Sequence, residues 1–116
     1  MNIEQEYKDH IELYTTVATD CAEAEANYKD VDSQVKTKLA IAYANTDSIG
    51  SDGKRASANT REMQARFDPE FMEWENGVRE ANTKYIKLRA RKDIGEKRID
   101  MYRSLLSMEK VRAGIL

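Results

Sequence analysis

Residues 71–106 read FMEWENGVREANTKYIKLRARKDIGEKRIDMYRSLL, and this stretch decides the fold. Counted in alternating steps of three and four, its apolar residues fall on one line: Phe71, Trp74, Val78, Ala81, Tyr85, Leu88, then Ile99, Tyr102 and Leu106. Residues three and four apart share a helix face, so the line predicts a continuous buried seam. An alternation sustained this long marks helices packed along their length, as in a coiled coil. Two seam positions, Lys92 and Gly95, are not apolar.

Working upstream, Asp68-Pro69-Glu70 is the clearest boundary. Asp suits the N-cap, Pro the first helical position, and Glu70 places negative charge at the positive helix end. The second long helix is therefore predicted over 69–112, with Gly114 as its terminator. Residues 59–67 suit a short helix capped by Asn59 or Thr60, and residues 45–58, with Gly50 and Gly53 among Asn, Asp and Ser, read as an exposed loop. Before that, Tyr7, Tyr14, Cys21, Tyr28, Val35 and Ala42 recur every seven residues, with apolar flanks on both sides. No Pro or Gly precedes Gly50, which predicts one unbroken first helix over 3–44 with a face broad enough for more than one partner helix.

The expected fold is all-α: one domain over 1–116, an antiparallel, coiled-coil-like hairpin of two long helices (3–44 and 69–112) joined by 45–68. If residue 44 lies near residue 69, paired positions sum to about 113 by the antiparallel register. Gly95 then faces Ala18, and Lys92 faces Cys21 with Glu25 or Asp20 in reach, an ion pair that would fix register rather than add stability. A two-helix hairpin of 116 residues buries little core of its own, so assembly into a helical-bundle homo-oligomer is expected.

The chain is 34% charged with one Pro and one Cys, a composition suited to long, surface-rich helices. Cys21 has no partner for an intramolecular disulfide and fits a reducing compartment. No apolar run approaches membrane-spanning length and no signal-peptide pattern opens the chain, so the expectation is a cytoplasmic protein without a membrane partner. The net charge of −2 hides a polarity: residues 1–47 carry four Lys/Arg against ten Asp/Glu, and residues 69–116 eleven against eight. An acidic first helix favours pairing with a basic second one and leaves a basic stretch that an outside anion can use.

Catalytic signals are poor. His10 and Cys21 are the only residues of their kinds, about 16 Å apart along one helix, too far for a nucleophile–base pair. His10 reads as solvated or at an oligomer edge, and Cys21 as a small seam residue. Gly50-Ser51-Asp52-Gly53-Lys54-Arg55 lacks the spacing, the following Ser/Thr and the preceding strand of a phosphate-binding loop. The Glu-x-x-His pairs of di-iron bundles are absent. The sequence thus predicts no catalytic residues, no metal and no cofactor.

Two basic regions remain as binding candidates. One is the second-helix segment with Lys84, Lys87, Arg91 and Arg98; the other is the loop region with Lys54, Arg55 and Arg61. Cations beside aromatics such as Phe67 or Tyr43 suit phosphates and unpaired bases. The competing reading is a solvated face whose charges pair along the helix, as Lys92 with Glu96 can. The tyrosines at seam positions read as core residues whose hydroxyls reach the rim.

The segment Lys97-Arg98-Ile99-Asp100-Met101-Tyr102-Arg103-Ser104-Leu105-Leu106 closes a plan of acidic helix, Gly/Ser/Asp loop and long second helix. In this layout the chain resembles the UvsY-type recombination mediators of phage. That resemblance implies a helical homo-oligomer in the host-cell cytoplasm, single-stranded DNA and a recombinase as partners, and functional or assembly roles for Arg98 and Arg103. Trp74-Glu75-Asn76-Gly77 lies inside the second helix with an extra residue before the Gly, unlike the WXG-type hairpins. The expected function is a non-enzymatic accessory protein that binds single-stranded DNA and assists recombination. The alternative is a coiled-coil protein–protein interaction module, with a phage or host partner, that never touches nucleic acid.

Overall fold

The structure is a computed structural model in which residues 2–50 and 53–114 are described. Ser51 and Asp52 of the glycine loop lie outside the described residues. The chain is all-α: α1 (Ile3–Asp32), α2 (Val35–Ala44), α3 (Ala58–Arg66) and α4 (Pro69–Arg112). Among the described residues the only β-type pairing is an isolated antiparallel bridge between Ile49 and Arg55.

The first helix does not run unbroken to residue 44. It ends at Asp32 and restarts at Val35. Gln34 N–H donates to Val31 O at 3.2 Å, a tightened turn, while the Ser33 hydroxyl donates to Asp30 O at 2.6 Å. Asp and Ser side chains compete with the backbone for hydrogen bonds, so Asp32-Ser33 interrupts a helix without Pro or Gly. Downstream, Ser57 caps α3, its Oγ accepting from Thr60 N–H at 3.1 Å, so the cap falls two or three residues before the expected Asn59 or Thr60. The boundary at α4 forms as expected: Asp68 Oδ2 accepts from Phe71 N–H at 3.1 Å, and Gly114 ends the element with φ of +71°.

The chain divides into two compact units, Met1–Glu25 with Thr83–Leu116, and Ala26–Asn82. In the second of these, Ala42 of α2 and Ala65 of α3 are buried together with Phe71, and Leu39, Tyr43 and Trp74 pack around them. Alanines at the contact let the two helices approach closely, and the Phe71 and Trp74 rings, 5.5 Å apart, close the cluster.

In the other unit the start of α1 lies antiparallel to the end of α4. The Tyr14 hydroxyl donates to Glu96 Oε1 at 2.8 Å, Arg103 Nε donates to the Tyr7 hydroxyl at 3.2 Å, and His10 stacks on Tyr102 with centroids 5.0 Å apart. These paired numbers sum to about 110, so the register differs from the expected 113 by about one helical turn. Gly95 therefore meets Tyr14, not Ala18. The expectation assumed a helix continuous to residue 44, and that helix ends twelve residues earlier. His10 is half-buried in the seam rather than solvated. Cys21, Ala24 and Ile99 are the buried apolar residues described in this unit, a thin core for two helices.

Candidate functional site

The eight cations singled out from sequence separate into different environments. Lys84, Lys87, Arg91 and Arg98 follow one another at steps of three, four and seven on α4, which places them on one helix face. All four are exposed. Among the described residues none of them forms an ion pair or a side-chain hydrogen bond, so the pairing along the helix that the competing reading invoked is not present at these four. Arg89, on another face, lies over the Tyr85 ring at 5.3 Å, and Lys92 is half-buried.

Beside this line a groove of about 330 Å³ opens between α1 and α4. Its walls are His10, Leu13, Tyr14 and Val17 from α1, and Arg91, Ile94, Gly95 and Arg98 from α4. No carboxylate lines it. Gly95 makes room for the Tyr14 ring, whose hydroxyl is tied to Glu96, so one aromatic wall is held in place by its neighbour helix. The hydrogen bond to the Glu96 carboxylate raises the Tyr14 phenol above its ordinary range, with desolvation and the charges of Glu96 and Asp93 adding to it. At physiological pH the groove thus presents a neutral phenol and two guanidinium groups.

Arg103 lies on the opposite side of α4 from this line. It donates to Tyr7, and its Nη1 stands 3.6 Å from Asp100 Oδ1. The hydrogen bond to Tyr7, with the Asp100 carboxylate adding to it, holds its guanidinium above the usual range. Its role is to join α1 to α4.

The remaining three belong to the Ala26–Asn82 unit. Arg61 is half-buried: its guanidinium stacks over the Tyr43 ring at 4.3 Å, Nε donates to Thr46 Oγ1 at 2.9 Å, and Nη2 donates to Tyr43 O at 3.3 Å. The cation sits on the Tyr43 carbonyl in the last turn of α2, where positive charge is favourable, and covers the ring proposed for base stacking. Lys54 and Arg55 are exposed on a pinned turn, with Gly50 N–H donating to Lys54 O at 2.7 Å and Ala56 N–H to Ser48 O at 3.0 Å. Gly53, with φ of +77°, supplies the backbone conformation that turn requires. Phe67 remains exposed at the end of α3.

The α1 side of the groove had no signal in the sequence as a binding wall. His10, Leu13, Tyr14 and Val17 carry the periodicity of a packed helix, and only the register brings them beside Arg91 and Arg98. Among the described residues no group of three or more His, Cys, Asp or Glu side chains converges as a metal site, and no helix is long and apolar enough to cross a membrane. Comparison with family models, with curated proteins and with solved structures finds no match to this chain.

Proposed function

We propose that this chain is a non-enzymatic module that binds single-stranded DNA along the α4 face of Lys84, Lys87, Arg91 and Arg98. The observation that carries the reading is the carboxylate-free groove, with two arginines at its edge and aromatic and aliphatic walls. Phosphates are drawn to the four unpaired cations, which span about 21 Å of helix. An unstacked base fits an apolar groove beside a guanidinium, whereas a duplex buries its bases and offers only its backbone. Assistance to a recombinase is the cellular role that the resemblance attaches to this binding.

A second reading is favoured by a separate observation. Ile94, Met101 and Met108 recur every seven residues on α4 and are half or more exposed, which suits a coiled-coil contact with another protein.

Anisotropy of a labelled single-stranded oligonucleotide, with its duplex as control, tests the first reading at two salt concentrations. Binding that prefers the single strand, weakens steeply with salt and falls in Arg91→Ala supports it. Absence of binding at low salt sinks it.

A further inference from the structure

The apolar stripe of Ile94, Met101 and Met108 begins where the groove lies, and the two features point to one occupant. We infer that a second copy of this chain covers the groove, laying its α1 edge against α4 in a two-fold, four-helix arrangement. The inference rests on the proposed DNA reading only in making self-association and DNA binding compete for Arg91 and Arg98.

Three observations select a second copy over another partner. The first is charge. Met1–Glu25 carries seven Asp/Glu against one Lys, and Thr83–Leu116 ten Lys/Arg against four Asp/Glu. A copy whose α1 lies on the α4 of the other brings these opposite charges together in both contacts at once, which is the self-complementarity a two-fold interface requires. The second is height along the bundle. A two-fold axis parallel to the helices leaves every residue at its own level, and positions summing to about 110 are level here. Exposed Leu13 of one copy then falls between Ile94 and Met101 of the second copy, and Asp20 comes level with the second copy's Arg91. The groove arginines meet the carboxylates that their own groove lacks.

The third is size. The 23 residues Ile3–Glu25 of α1 in this unit extend about 35 Å, and two helices side by side are about 20 Å across, a footprint of about 700 Å². Stable specific interfaces bury about 800 Å² per partner within a range of about 600–1,000 Å², so this face, when fully covered, falls inside that range. With three buried apolar residues between the two helices, Leu13, Ile94, Met101 and Met108 of this face remain as apolar side chains to remove from water.

The test is the solution mass of the full chain by light scattering at tens of micromolar, for the wild type and for Met101→Gln/Met108→Gln. Both methionines are exposed in the single copy, so the variant keeps its helix content by circular dichroism. The expected result is twice 13.3 kDa for the wild type and 13.3 kDa for the variant. A wild type of single-chain mass, or a variant that stays double, overturns the inference. Asp20→Lys is expected to weaken the dimer and Asp20→Lys/Arg91→Asp to restore it; failure to restore overturns the α1-on-α4 arrangement. With labelled oligothymidylate, the monomeric variant binds about tenfold more tightly than wild type at a concentration where nine-tenths of the wild type is dimer. Equal binding by both shows that the second copy does not cover the groove. If neither binds while the masses hold, the DNA reading fails and the dimer surface stands.

Discussion

The ring of Tyr14 lies against Gly95, its Cδ2 3.1 Å from where a Cβ on that glycine would stand. This contact accounts for a glycine inside a 44-residue helix, where it would otherwise be a cost. It also sets the height of α1 against α4, since the same tyrosine reaches Glu96 one residue on.

Gly95→Ala should therefore behave differently with and without the ring. Alanine gains about 1 kcal/mol over glycine in a helix interior. In a Tyr14→Ala background that gain is expected in full, while in the wild type the crowded contact removes much of it. Gly95→Leu is expected to cost about 2 kcal/mol, as overpacking does. Urea denaturation of the four chains of the double-mutant cycle reads the coupling, and equal effects of Gly95→Ala in both backgrounds would contradict the contact.

The Tyr14–Glu96 hydrogen bond carries a pH dependence. The phenol is raised above its ordinary value near about 10 because its neutral form donates to Glu96. A group whose folded pKa is raised lends stability that is complete below its unfolded value and is lost as pH rises through the folded one. Wild type should lose stability above about pH 10 more steeply than Tyr14→Phe. Thermal melts across alkaline pH check this, and parallel curves for the two proteins would count against it.

Arg61 and Arg91 should separate stability from binding. Arg61→Ala removes hydrogen bonds to Thr46 and Tyr43 and the cover over the Tyr43 ring. A loss of about 2 kcal/mol is expected, with Arg61→Lys recovering only part because it lacks the planar fork. Arg91→Ala removes a side chain that is exposed in the single copy and, at a dilution where the chain is a monomer, should stay within about 0.5 kcal/mol. Denaturant midpoints that ranked the two the other way would refute these roles.

If DNA lies along α4, the salt dependence counts its phosphate contacts. Each lost contact to a single strand reduces the slope of log K against log salt by about 0.7, so Arg91→Ala/Arg98→Ala should lower it by about 1.4. Arg103→Ala should leave the slope unchanged, since its guanidinium is taken by Tyr7 and Asp100. An equal fall in both variants would place the DNA elsewhere.

Loss of the Asp68 cap is a check on the sequence reading of α4. Asp68→Ala leaves Phe71 N–H without its acceptor and should cost about 1 kcal/mol. Asp68→Asn, which keeps an acceptor oxygen, should cost little.

The helical class and the bounds of α4 were legible because their causes are local. The three-four alternation from Phe71 to Leu106, the Asp68-Pro69 start and the Gly114 stop each act within a turn or two of chain. The interruption at Ser33–Gln34 was also local in cause but weak in signal: Asp and Ser stand mid-helix in many sequences, and the break shows only in the Ser33 hydroxyl's bond to Asp30 O and the tightened turn from Gln34 N–H to Val31 O.

Sequence alone determined which residues can form helices and which face of each is apolar, because periodicity is a property of one helix by itself. The tertiary structure decided the register, and with it the candidate site. Alternation is compatible with any shift of one helical turn, and the choice among those shifts depends on contacts between residues some eighty apart, such as Tyr14 with Gly95 and Glu96. That shift placed His10, Leu13 and Val17 beside Arg91 and Arg98. It also gave Arg103 to Tyr7, and packing elsewhere gave Arg61 to Tyr43, so cations equal in the sequence became unequal in the fold.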